Sequence, residues 1–260
     1  MSDLELSAMR DFGRQRQKRF SLRRDLTKRE IVGRVLTGAS VGLAGFVALS
    51  LLLVGLFGVL PVPVTPLVGI RALQAGFSGR HVRFAKDWIP IEEMAPSLLR
   101  AAIASEDFHF DEHHGFDFDA IEKAMRANER TEQRGRGRIH GASTISQQTA
   151  KNVFLWPSRT WLRKGLEAWM TVLIEATWSK RRILEVYLNV IEFGDGVYGV
   201  EAASHRFFRK PAKRLTAAEA ALLIAVLPNP RKLLVDRPSA YVRYRQSAIL
   251  RRLSYVDVPD

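Results

Sequence analysis

The 260 residues contain no cysteine. Disulfides, thiol catalysis and thiolate metal sites are therefore excluded. No segment repeats, and no stretch shows the period-two alternation that marks a half-buried strand. Acid is scarce relative to base: 27 Asp and Glu stand against 40 Lys and Arg, for a net charge of +13 and a pI near 10.5. Such a balance makes the expected partner anionic, whether nucleic acid, an acidic membrane surface or a phosphorylated substrate. With 47% hydrophobic residues, the chain is long enough for one sizeable domain plus an extra element.

Charge is missing altogether from residues 35–60, 26 positions in a row. As a helix this run would extend about 39 Å, enough to cross a hydrocarbon core of about 30 Å with some tilt, so it reads as a transmembrane helix. A cleaved signal is the alternative, although its apolar region would span only about 7–15 residues. Residues 1–34 form a basic tail, with ten Lys or Arg against five acids. By the positive-inside rule this tail lies in the cytoplasm and everything after Pro61 lies outside. That orientation argues against nucleic acid. The remaining excess on residues 35–260, 30 basic minus 22 acidic or +8, points to anionic lipid or a lipid-linked phosphate. Residues 61–87 read as a juxtamembrane linker and residues 88–260 as the outer domain, mostly helical.

Within that domain a helix opened by Pro96 and Ser97 ends at Glu106. Leu99, Ala102 and Ile103 lie at i−7, i−4 and i−3 from it, so the carboxylate shares an apolar face. A carboxylate there is costly unless it is paired, used, or simply emerging into solvent. His113 and His114 suit a turn before Gly115. Residues 121–130 are predicted helical, and the Gly- and Arg-rich residues 129–140 are read as a mobile basic loop. Thr144 and Gln147 fit a capping box, so a helix begins there with free N–H groups able to meet an anion. Ser143, Gln147 and Lys151 then recur every four residues as a polar ridge with one cation. On the helix over residues 161–177, Leu162, Leu166, Trp169, Leu173 and Ala176 make the predicted core stripe. Glu167 falls about 120° from its centre, which suits a solvated Arg163–Glu167 pair as well as a functional carboxylate. A second capping box, Thr216 with Glu219, opens a nearly all-apolar helix expected in the core, and a basic helix over residues 241–253 follows.

The motifs, in order, are Glu106-Asp107-x-x-Phe110-x-x-His113-x-Gly115, then Gly141-x-Ser143-Thr144-x-x-Gln147-Gln148-x-x-Lys151-Asn152 and Arg163-Lys164-x-x-Glu167. Ile183-Leu184-Glu185-x-Tyr187-Leu188-Asn189 and an Ala-rich helix ending Leu227-Pro228-Asn229-Pro230 complete the series. Five motifs in one order are far more specific than any one alone. They closely resemble glycosyltransferase family 51, the peptidoglycan glycosyltransferases, and within it the monofunctional, membrane-anchored biosynthetic enzymes of Gram-negative bacteria.

The resemblance implies a mainly α, lysozyme-like domain with two lobes around a cleft, preceded by one transmembrane helix in the bacterial inner membrane, with the catalytic domain in the periplasm. It implies polymerisation of lipid II onto a growing glycan strand, with proteins of the division or elongation machinery as candidate partners. Glu106 matches the family's catalytic base and Glu167 its second essential glutamate. Lys151, Arg159, Arg163 and Lys164 match, or adjoin, the cations around the donor pyrophosphate, and Ser143, Gln147 and Gln148 belong to the second motif. A divalent cation, Mg²⁺ or Mn²⁺, is expected near Glu167. The absence of Ser-x-x-Lys and Lys-Thr-Gly excludes a bifunctional penicillin-binding protein. Two alternatives remain: a lytic transglycosylase or hydrolase, which needs a protonated acid at the leaving oxygen rather than cations, and a non-catalytic precursor-binding membrane protein.

Overall fold

A computed structural model describes residues 3–77, 85–133, 135, 141–158 and 160–259, with side chains from residue 30 and excepting 75–77. The chain divides into two units, Met1–Leu53 and Val54–Asp260. From Asp3 the first lies within α1 (Asp3–Val59), whose segment Glu30–Val59 is long and apolar enough to cross a membrane, with a mean hydropathy of 2.3 over an 18-residue stretch of it. The basic tail is thus helical from Asp3 and continuous with the apolar run.

The second unit starts earlier than residue 88. The last turn of α1 is bound into it: Trp178 Nε1 donates to Val54 O at 2.9 Å, and Arg182 Nη2 donates to Phe57 O and Leu60 O at 2.9 and 2.6 Å. A cation on free helix C-terminal carbonyls is favourable on both hydrogen-bonding and dipole grounds. Residues 66–77, expected as part of a linker, form α2 (Pro66–Phe77), which Arg71 ties to the domain through Glu192 and, at 2.9 Å, the Tyr198 hydroxyl. Such pairing over more than a hundred residues leaves no trace in local composition.

The core is helical. α3 (Pro96–Glu106), α9 (Ala217–Ala225) and α10 (Ala240–Arg252) pack together, and α5 (Ile145–Phe154) packs on α6 (Trp161–Thr177) and α7 (Lys180–Val190). Both capping boxes form as expected: Thr144 with Gln147 opens α5, and Thr216 with Glu219 opens α9, whose residues 220–225 are all buried. α4 (Phe118–Gln133) runs past residue 130 and buries no residue; of the expected basic loop, residues 129–133 are helix, and 134 and 136–140 lie outside the described residues. α8 (Val200–Phe208) follows a small sheet of β1 (Ala85–Lys86), β2 (Glu192–Gly194) and β3 (Val197–Tyr198), in the order β1-β3-β2, parallel then antiparallel. Strands of two or three residues are too short for alternation to register, which is why none was expected.

The reversal after β3 rests on Gly199, with φ 80° and ψ 151°, a region essentially reserved for glycine. A Cβ there would also stand 2.8 Å from Asn189 O. Gly199→Ala should therefore lower unfolding stability by about 1–3 kcal/mol. Gly165→Ala, at an open helical position, should leave it unchanged or raise it by up to about 1 kcal/mol. Thermal melts of the two variants check the contrast.

Candidate active site

The first motif closes a clamp. Asp107, the residue after α3, is 6% exposed and uses both carboxylate oxygens: Oδ1 accepts from His113 Nε2 at 2.8 Å, and Oδ2 accepts from the backbone N–H of Ile145, the first residue of α5, at 2.9 Å. Gly115 N–H donates to His113 Nδ1 at 3.2 Å, which makes Nε2 the nitrogen that donates to Asp107. Thr144 Oγ1 returns the link by donating to Gly115 O at 2.7 Å. Gly115 itself has φ 86°, and a Cβ there would lie 2.7 Å from Thr171 Cγ2. His113 is thus a structural residue of the turn.

Beside this clamp sits Glu106, its side chain 14% exposed. Oε1 accepts from Ser105 Oγ at 3.0 Å, and Oε2 accepts from Gln148 Nε2 at 3.3 Å. Behind Gln148, the fully buried Tyr187 makes a long contact to its amide oxygen, 3.5 Å, which leaves the NH₂ turned toward Glu106. Burial, followed by the nearby charges of Glu106 and Asp107, pushes the Tyr187 phenol well up, so it stays neutral. Glu106 opens on a groove of about 200 Å³ lined by Ser105, Asp117, Ser143, Thr144 and Arg252 among others.

Glu167 overturns the expected orientation of α6. The residue is 3% exposed and shares the buried face with Met170, Thr171 and Ile174, whereas Leu162 of the predicted core stripe is 71% exposed. Its carboxylate is paired at both oxygens, with Arg163 Nη1 at 2.6 Å and Lys164 Nζ at 2.5 Å. Arg163 Nε is buried with no partner among the described residues. Lys151 makes no side-chain hydrogen bond among the described residues. Burial holds its ammonium below the usual lysine range; Glu167 raises it again, Arg163 and Lys164 lower it, and Glu106 raises it. Lys151 also lines a cavity of about 440 Å³ with Arg71, Asn152, Trp156 and Ser158.

The structure therefore brings Glu106 and Ser143 to one groove, with Gln148 hydrogen-bonded to Glu106, and Lys151, Arg163, Lys164 and Glu167 to one cluster of charge. Gln147 stands apart. It is 4% exposed, and its amide oxygen accepts from Thr144 N–H at 3.1 Å to complete the cap, so it is not on a polar ridge with Ser143, which precedes the helix. Arg159 lies outside the described residues. Sequence reasoning missed Arg245, whose Nη2 is 3.5 Å from Glu106 Oε1; its only signal was membership of a basic helix. Both Glu167 oxygens are taken by cations, so this carboxylate as it stands does not fit the expected Mg²⁺ or Mn²⁺, which would need a free oxygen on it.

Residues 76–254 match the family described as Transglycosylase, and the chain belongs to that family. Among curated proteins it is similar to the biosynthetic peptidoglycan transglycosylase of Bdellovibrio bacteriovorus, 56% identical over 209 residues, 80% of this chain and 82% of the relative. It is also similar to the proteins of that name from Klebsiella oxytoca, 54% identical over 90% of this chain and 93% of the relative, and from Escherichia coli, 55% identical over 77% and 81%.

Asp107→Asn replaces one accepting oxygen by an amide that faces an N–H. The expected loss is about 1–3 kcal/mol of stability, seen as a lower thermal midpoint.

Proposed function

We propose that this peptidoglycan transglycosylase polymerises lipid II, with Glu106 as general base and the cluster around Glu167 as the seat of the donor diphosphate. The observation that carries the reading is the separation of two carboxylates into opposite settings. Glu106 borders an open groove with lone pairs to spare; Glu167 is buried and fully paired to cations. A sugar hydroxyl of the acceptor would enter the groove and attack the anomeric carbon of the growing strand. The new bond is O–C1, the broken bond joins C1 to the diphosphate oxygen, and the hydroxyl proton goes to Glu106. A positioned carboxylate can contribute about 10²–10⁴ in rate to such a step.

The diphosphate leaves as a stable anion, so it needs positive charge rather than a proton donor. Lys151, partly desolvated, and Arg163 Nε, both without a side-chain hydrogen bond among the described residues, are suited to receive it, with Lys164 adjacent. Arg159 is assigned to the same cations by its place in the motif. Ser143 and Gln148 would contact the sugars. Glu167 then serves to hold its cations in place, and no step is routed through a metal. One displacement inverts the centre, making β-1,4 links from an α-linked donor. A hydrolytic cleft would need a protonated acid and no such cations.

The apolar segment Glu30–Val59 is assigned to the bacterial inner membrane, with the basic tail cytoplasmic and the catalytic domain periplasmic. The exposed apolar residues Trp161, Leu162 and Val172 of α6 suit contact with the bilayer in which both substrates are anchored.

Purified protein given labelled lipid II should yield a ladder of glycan strands on a gel. Glu106→Gln should abolish the ladder while sparing substrate binding; shortening of preformed glycan instead of polymer would indicate a hydrolytic cleft. Diphosphate affinity supplies a second check. An anion favours protonated Lys151, so affinity should fall as pH climbs through its lowered pKa, sooner than for an ordinary lysine near 10.5, and Lys151→Arg should delay that fall.

A further inference from the structure

Arg245 of α10 reaches across the core to the end of α3. Its Nε donates to the backbone carbonyl of Ala225, the last residue of α9, at 3.1 Å. Its Nη2 donates to Ser105 Oγ at 3.0 Å and lies 3.5 Å from Glu106 Oε1. Ser105 Oγ in turn donates to that same Oε1 at 3.0 Å. The guanidinium is a planar fork of fixed geometry; its Nε is held on backbone while its Nη2 faces the carboxylate. Among the described residues, it is the cation within ion-pair reach of Glu106.

We propose that Arg245 is a positioning residue for the Glu106 base, fixed on the Ala225 carbonyl and acting through the Ser105 hydroxyl to hold Glu106 ionised and aimed into the groove. The inference rests on the reading of Glu106 as the base. A carboxylate must be ionised before it can take a proton, yet one bonded tightly at both oxygens has no lone pair to offer. Glu167 is in that second condition, with cations at 2.6 and 2.5 Å. Glu106 is not: Arg245 stands at 3.5 Å and shares a hydroxyl with it, while among the described residues Oε2 meets only the Gln148 amide.

Other charged or titratable groups face Glu106 less specifically. Asp107 beside it is committed to the clamp, Tyr187 from α7 stays neutral, and Lys151 from α5 is shared with Glu167. Arg252, further along α10, lines the groove but makes no ion pair with Glu106 among the described residues.

The test is lipid II polymerisation by the full-length protein across pH, for wild type, Arg245→Gln, Arg245→Lys, Ser105→Ala and Glu106→Gln, each with a thermal midpoint. Arg245→Gln should keep KM within about twofold, lower kcat by about 10-fold or more, and move the acidic limb of the rate profile to higher pH by about one unit. Arg245→Lys should restore the limb but only part of the rate, because an ammonium cannot hold Ala225 and Ser105 together. Should Arg245→Gln not fold, Ser105→Ala carries the test, since it breaks the link with the arginine in place and should move the limb the same way. An acidic limb that stays where it was, with or without a loss of rate, assigns Arg245 to structure alone and overturns the proposal. An active Glu106→Gln overturns the base reading and this proposal with it; an inactive one beside an unmoved limb overturns this proposal only.

Discussion

Two donors from different parts of the chain, the imidazole of His113 and the N–H of Ile145, converge on the two oxygens of Asp107. The candidate site depends on that convergence. Asp107 follows Glu106 directly, so fixing it fixes where α3 ends and where Glu106 points. Ile145 opens α5, so the same carboxylate sets the start of the helix that carries Gln148 and Lys151. A carboxylate at a helix N-terminus satisfies an orphan donor and meets the positive end of the helix dipole. Gly115, accepting from Thr144 and donating to His113, closes the ring from the other side.

Electrostatics then divide the labour between two glutamates of identical chemistry. Glu167 is buried, which is tolerable only because two cations neutralise it at contact distance. That pairing concentrates positive charge while using up the carboxylate itself. Glu106 lies at a groove, faced by a cation at longer range and by neutral donors, and so keeps lone pairs free. Environment, not residue type, separates the proposed base from the counter-ion.

What could be read from the residues in order was mostly local. Both capping boxes, the ends of α6 and the apolar face leading to Glu106 depend on spacings of three or four, and each formed as the spacing required. Periodicity failed where it had to say what covers a face. The stripe through Leu162 and Leu166 is apolar, yet the opposite side of α6, with Glu167, is the buried one. A hydrophobic pattern reports a face's polarity and not its neighbour, and a buried ion pair looks like a solvated one until its burial is known. Gln147 was misplaced for a related reason: a residue inside a cap is consumed by it.

The sequence by itself determined the apolar segment, the helical class, the family and the place of both glutamates in its motifs, because these reside in composition, short spacing and motif order. Only the tertiary structure decided that α2 belongs to the domain through Arg71, that Arg182 binds the end of α1, and that Arg245 reaches Glu106 from 139 positions away. Each joins residues remote along the chain, and a side chain's partner across such a distance is set by how helices pack, which no local pattern encodes.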